Sequence, residues 1–275
     1  MKDPVKELGS GDVSLVRASD LVGCRYRLRQ RLAHPDIPPL PDAVERQPQV
    51  DAGRAAVFGL LPTKRALGDG RRKAFSRLAL DPALPVASRE AATRQGMKDR
   101  ATLIVDGALT GQIGGVPVLA EIDILARMED GSYLPVIVSN HRVARASESS
   151  TMQFIPTRRL GLGKPLEAAA KPRHHTVDGY RIALAHLLLE ETGFASDLGA
   201  VVGQDRERAY LVDAARHVDA LRVRRRADDR RGAAEHRVAA ADVDDDDGDV
   251  VGSAGVERLL EQQVGGAARR ELLPQ

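Results

Sequence analysis

Glu121 and Asp123 stand two residues apart in the segment Leu119-Ala120-Glu121-Ile122-Asp123-Ile124-Leu125. The segment reads as a strand, and strand side chains alternate between faces. Glu121 and Asp123 are therefore expected on one face, with Ile122 and Ile124 on the other. Two carboxylates so spaced suit a hard cation such as Mg²⁺ or Mn²⁺, which prefers oxygen ligands. A cation held there would activate water and offset charge on a phosphoryl group. The same spacing is also that of a half-buried strand with an acidic face in water.

The elements that must position this pair are legible around it. Thr102 to Leu109 is β-rich, Gly111, Gly114 and Gly115 turn the chain, and Val116 to Met128 reads as a long strand. Glu129-Asp130-Gly131 is a turn signal, and Tyr133 to Ser139 returns as the next strand. This predicts a three-stranded antiparallel meander. Tyr180 to Thr192 is apolar at helical spacing, with Gly193 as its stop. Two short strands are expected at Ala200 to Val202 and Arg208 to Val212. Upstream, helices are expected over 15–32, with Ser19 or Asp20 as cap, over 51–61, and over 89–98 behind Ser88. Pro35, Pro38, Pro39 and Pro41 predict an extended linker between the first two. Residues 144–175 read as a basic, loop-rich insertion.

These motifs together resemble the RecB-type nucleases of the PD-(D/E)XK superfamily. Ala120-Glu121-Ile122-Asp123 looks like the family's Gly-x-x-Asp, with Ala for Gly, and Tyr133-Leu134-Pro135-Val136-Ile137-Val138-Ser139 looks like its second strand. The helix after Tyr180, the stretch from Ala92-Thr93 to Ile104 and Gly199-Ala200-Val201-Val202-Gly203-Gln204-Asp205 are also similar, so the likeness covers roughly residues 15–215. It implies an α/β fold, a mixed sheet of the restriction-endonuclease-like type flanked by helices. It implies metal-dependent DNA hydrolysis, with Mg²⁺ or Mn²⁺ as cofactor, DNA as partner and Asp123 as metal ligand; Glu121, its neighbour, is the candidate second ligand in place of the carboxylate missing at Ile137.

The chain departs from that pattern where the chemistry is densest. Ile137-Val138-Ser139 stands where the family has Asp/Glu-x-Lys, and Arg181 where the helix often carries Gln. Isoleucine cannot bind a metal, and serine cannot supply the lysine's charge. His141, expected on the strand face of Ser139, is the candidate substitute, so Asp123, Ser139 and His141 form the candidate catalytic set. Three functions follow: a metal-dependent nuclease, an inactive relative that binds DNA or a repair partner, or a truncated or frameshifted product.

Charge distribution bears on the partner more than the net charge of +2 from 41 basic and 39 acidic residues. Basic clusters occur at Arg25 to Arg31, at Arg71 to Lys73 and from Arg158 to Arg173. Arg142, Arg145, Arg158 and Arg159 are the expected nucleic-acid contacts. No helix-turn-helix or zinc finger is visible, so base-specific reading is not expected. His174-His175 lacks a third metal ligand.

The single cysteine, Cys24, excludes an iron–sulfur cluster and a disulfide within the chain. Aromatics are only 3%, so Leu, Val, Ile and Ala must build the core. The absence of a signal-like start and of a long apolar run predicts a soluble cytoplasmic protein without a membrane span. Residues 1–214 read as the nuclease-like domain. From about 215 the composition changes to mostly Ala, Arg, Asp, Val, Gly and Glu, with no Lys, Ile, Phe or Tyr, and includes Asp244 to Asp247. This stretch reads as a disordered tail or as a GC-rich message translated out of frame.

Overall fold

A computed structural model describes residues 15–23, 28, 30, 34, 38, 40–63, 75–219 and 221. All fall within one unit, Met1–Arg225. The basic clusters at Arg71 to Lys73 and around Arg25, together with Cys24 and the tail beyond 221, lie outside the described residues.

The architecture is α/β, as expected: a mixed eight-stranded sheet with helices packed against it. The strands are β1 (Arg77–Ala79), β2 (Leu103–Ile113), β3 (Val116–Arg127), β4 (Tyr133–Val138), β5 (Ala144–Pro156), β6 (Leu166–Pro172), β7 (Leu198–Val202) and β8 (Arg208–Asp213). Their order in the sheet is β1-β2-β3-β4-β7-β8-β5-β6. The β2-β3-β4 meander is antiparallel, and β7 joins β4 in parallel. The crossover from β4 to β7 contains the β5-β6 hairpin and a helix.

Among the described residues three longer helices serve this sheet: α1 (Pro41–Leu60), α2 (Val86–Lys98) and α3 (Thr176–Thr192). Pro41 sits at the start of α1, where its missing N–H is no loss. Helix α3 is apolar along most of its length. Leu184, Ala185, Leu188 and Leu189 pack with Ile104, Leu109, Val118 and Ile122. Gly193 ends α3 with φ of 75°, a left-handed conformation that favours glycine. Val57 and Leu61 pack in a second cluster with Val105, Ile124, Val136 and Val138.

Several expectations change. Residues 15–23 are not α-helical: Val16 bridges to Val118, and Ala18–Leu21 form a single 3₁₀ turn. The helix expected at 51–61 begins ten residues earlier, at Pro41, and tolerates Pro48 inside. Residues 144–175 are not loop-rich but form the β5-β6 hairpin, which extends the sheet through β8. Arg145, Ser147, Glu148 and Ser149 make the start of β5 polar, so it shows no buried face from which a strand could be read. Ile122 and Ile124 do not share a face; they belong to different core clusters. Residue Asp106, opposite Asp123 in the β2-β3 register, has φ of 59° and breaks the pleat there.

At the C-terminal side, residues 214–219 are helical and continue past the expected domain boundary. Val218 and Leu221 are buried against Ala183 of α3. No helix among the described residues is long and apolar enough to cross a membrane.

Candidate functional site: an arginine-lined cleft around Asp123

Strands β3 and β4 pair from Arg127–Tyr133 as far as Ile124–Val136, and no pairing continues to Asp123. Beyond that point β4 keeps its bonds to β7 on the other side. The Asp123 side chain fills the opening. Its Oδ2 accepts the Val138 backbone N–H at 2.7 Å, where a neighbouring strand would otherwise accept. Asp123 is 1% exposed.

Two guanidiniums meet this carboxylate from different helices. Arg54 of α1 places Nε 2.9 Å from Oδ1, and Arg181 of α3 places Nη2 2.8 Å from Oδ2. Arg181 also donates through Nη1 to the Val138 carbonyl at 3.3 Å. Arg54 reaches further, to the carboxylate of Asp106 on β2. Gly53 explains how α1 comes so close: a Cβ there would stand 2.7 Å from Asn140 Oδ1. Glycine lets the helix approach the turn after β4, and the next residue is Arg54.

The electrostatics follow from one guanidinium shared by two acids. Burial works against the Arg54 charge, but Asp123 and Asp106 more than offset it, so its pKa is raised. Burial pushes the Asp106 carboxyl above its usual range; the nearby Asp123 charge adds to the rise and Arg54 opposes it.

Glu121 faces a second pair. Arg89 Nη2 donates to Oε1 at 3.0 Å, and Arg17 Nε lies 3.3 Å from Oε2. Glu121 and Asp123 thus line one cleft of about 390 Å³ but share no partner. The cleft contains Arg17, Arg54, Arg89 and Arg181 against Asp106, Glu121 and Asp123, one more positive group than negative.

The remaining expected site residues are placed apart from it. Ser139 follows the end of β4 and donates to Asp178 Oδ2 at 2.6 Å. His141 does not share a strand face with Ser139, because β4 ends at Val138 and His141 lies in a bend. Its ring stacks on His175 at 4.2 Å between centroids. Ile137 is fully buried with Ile182 and Val201. Arg142, Arg145, Arg158 and Arg159 are exposed, and none lines the cleft.

A divalent cation needs oxygen ligands free to face it. Guanidinium nitrogens stand 2.8 to 3.3 Å from every oxygen of Asp123 and Glu121, the Arg54 Nε contact being an ion pair without hydrogen-bond geometry. Among the described residues no group of three His, Cys, Asp or Glu is placed to hold a metal ion. The residues present do not fit Mg²⁺ or Mn²⁺. They do fit an anion, since guanidiniums recognise phosphate and carboxylate oxygens through paired N–H groups.

The sequence reading missed Arg17, Arg54, Arg89 and Asp106. Only Asp106 carried a usable signal. A hairpin turning at Gly114 and Gly115 puts Ile113 opposite Val116 and, counted back, residue 106 opposite 123.

No family model, curated protein or solved structure matches this chain.

Proposed function

We propose that this protein is a RecB-type nuclease relative that holds nucleic-acid phosphate in the cleft around Asp123 without hydrolysing it. The observation that carries this reading is the double ion pair of Asp123 with Arg54 and Arg181. A carboxylate neutralised twice inside the protein has little left to offer a cation. The positions of the family's Asp/Glu-x-Lys point the same way: Ile137 belongs to the core, and Ser139 is engaged with Asp178. The arginine excess of the cleft supports an anionic ligand, and the resemblance supports nucleic acid as its source.

The test is retention of short single-stranded DNA by the full chain across a salt series. Each phosphate neutralised should add about −0.7 to the slope of log affinity against log salt. Retention that falls with salt, and weakens when Arg17 is replaced by Gln, is expected. No retention at low salt overturns the reading.

A further inference from the structure

Arg89 is 6% exposed, yet its Nε has no hydrogen-bond partner. Its neighbour Nη2 is engaged by a single oxygen of Glu121, and the other Glu121 oxygen faces Arg17. Of the Nε–Nη2 edge, one nitrogen is thus engaged and the other, itself buried, is not. The residue is firmly seated: Thr93 Oγ1 donates to the Arg89 carbonyl at 2.7 Å and accepts the Ala108 N–H at 3.1 Å. Arg89 lies in the first turns of α2, whose positive dipole end favours negative charge nearby. Glu121, by contrast, is 43% exposed along its side chain, so water can receive it when it leaves Arg89.

We infer that Arg17 and Arg89 form a phosphomonoester subsite that the Glu121 carboxylate fills in the free protein. This rests on the reading of the cleft as an anion site and names the anion. A carboxylate carries one charge and two oxygens, and here it spends one oxygen on each arginine. A phosphomonoester carries close to two charges at neutral pH and three terminal oxygens. It satisfies Nε and Nη2 of Arg89 together and keeps a third oxygen for Arg17. A phosphodiester, with one charge and two free oxygens, gains less over Glu121. The cleft volume of about 390 Å³ suits one nucleotide rather than a duplex. The ligand is a terminal phosphate on a strand or a free nucleotide.

The experiment titrates the full chain with three probes: an oligonucleotide with a terminal phosphate, the same oligonucleotide ending in hydroxyl, and a nucleoside monophosphate. The phosphorylated strand should bind about tenfold more tightly than the hydroxyl-ended one, and Glu121→Gln should tighten phosphate binding about tenfold, the scale of a charge-assisted pair. Arg89→Lys keeps the charge but loses the fork and should abolish the preference; Arg17→Gln, at an exposed position, should weaken it without threatening the fold. Tight binding of the nucleoside monophosphate alone would identify a free nucleotide as the ligand, and preference confined to oligonucleotides would identify a strand end. Equal binding of the two oligonucleotides with no monophosphate binding overturns the subsite while leaving DNA retention intact. An unchanged affinity in Glu121→Gln also overturns it. Monophosphate binding without DNA retention would instead sustain the subsite and sink the nucleic-acid reading.

Discussion

Asp123 and Arg181 are 58 positions apart in the chain and 2.8 Å apart in space. Together with Arg54 they tie β3, α1 and α3 at the point where β3 and β4 separate. Breaking one partner of a buried ion pair leaves the others uncompensated, which typically costs about 3–5 kcal/mol. Asp123→Asn should lose stability on that scale in denaturant unfolding, because it strands two guanidiniums. Arg181→Gln should lose less, since Arg54 and the Val138 N–H remain with Asp123. Equal, sub-kilocalorie losses in both would contradict this account of the cluster.

The docking of the segment after β8 should depend on pH. His217 lies in the 214–219 helical segment, and a Cβ on Gly179 would stand 2.6 Å from its Nδ1. Burial lowers its pKa below the ordinary 6.5; His174 and Arg216 add to the drop and Asp213 opposes it. A lowered folded-state pKa means the unfolded chain takes up the proton first as pH falls. The contribution of His217 is then constant above about pH 6.5, and stability is lost as pH falls from there through the folded pKa. Denaturant unfolding at about pH 7.5 and about pH 5.5 should show a larger loss for the native chain than for His217→Gln. Identical losses would mean His217 is not held neutral.

That same segment should contribute to the fold by packing. Leu221 and Val218 are 6% and 4% exposed and contact the α3 side of the protein. Leu221→Ala should destabilise by about 2–4 kcal/mol through lost burial and the cavity left behind. A change below about 0.5 kcal/mol, the range of ordinary surface substitutions, would show that the segment is not docked in solution.

Much of the fold was legible because its central strands are continuously apolar. Val136 to Val138 in β4 and Ala200 to Val202 in β7 can only be buried, and Gly193 marks the end of α3 by its backbone freedom. The β5-β6 hairpin was not legible, because serines and charged residues dominate the start of β5. Asp123 was found from its spacing to Glu121, but its meaning depended on residues the spacing does not mention. Arg54 and Arg181 come from distant helices, and nothing in their local sequence marks them as partners of a β3 carboxylate. Asp106 could be placed by hairpin register alone; its left-handed backbone could not. The expected resemblance to nucleases drew attention to Ser139 and His141, whereas tertiary packing gathers the arginines elsewhere.

The turn after β4 offers a test of close packing. A Cβ on Gly203 would lie 2.8 Å from the His141 carbonyl oxygen and 3.2 Å from the Val143 nitrogen. Both are backbone atoms, and Gln204 N–H donates to the same His141 carbonyl at 3.0 Å. Neither neighbour can swing aside as a side chain would. Gly203→Ala should cost about 1–3 kcal/mol and disturb the stacked rings of His141 and His175, visible as shifted imidazole resonances. A neutral substitution would show that this turn yields freely.

The Asp123 carboxylate is ion-paired to arginines rather than offered to a metal. The most direct measurement is cleavage of end-labelled single-stranded DNA by the purified full chain with Mg²⁺ or Mn²⁺, beside Asp123→Asn. No metal-dependent cleavage by the native protein is expected under conditions where it retains the DNA. Metal-dependent cleavage that disappears in Asp123→Asn would contradict it, because Arg54 and Arg181 would then have to yield their carboxylate to a cation.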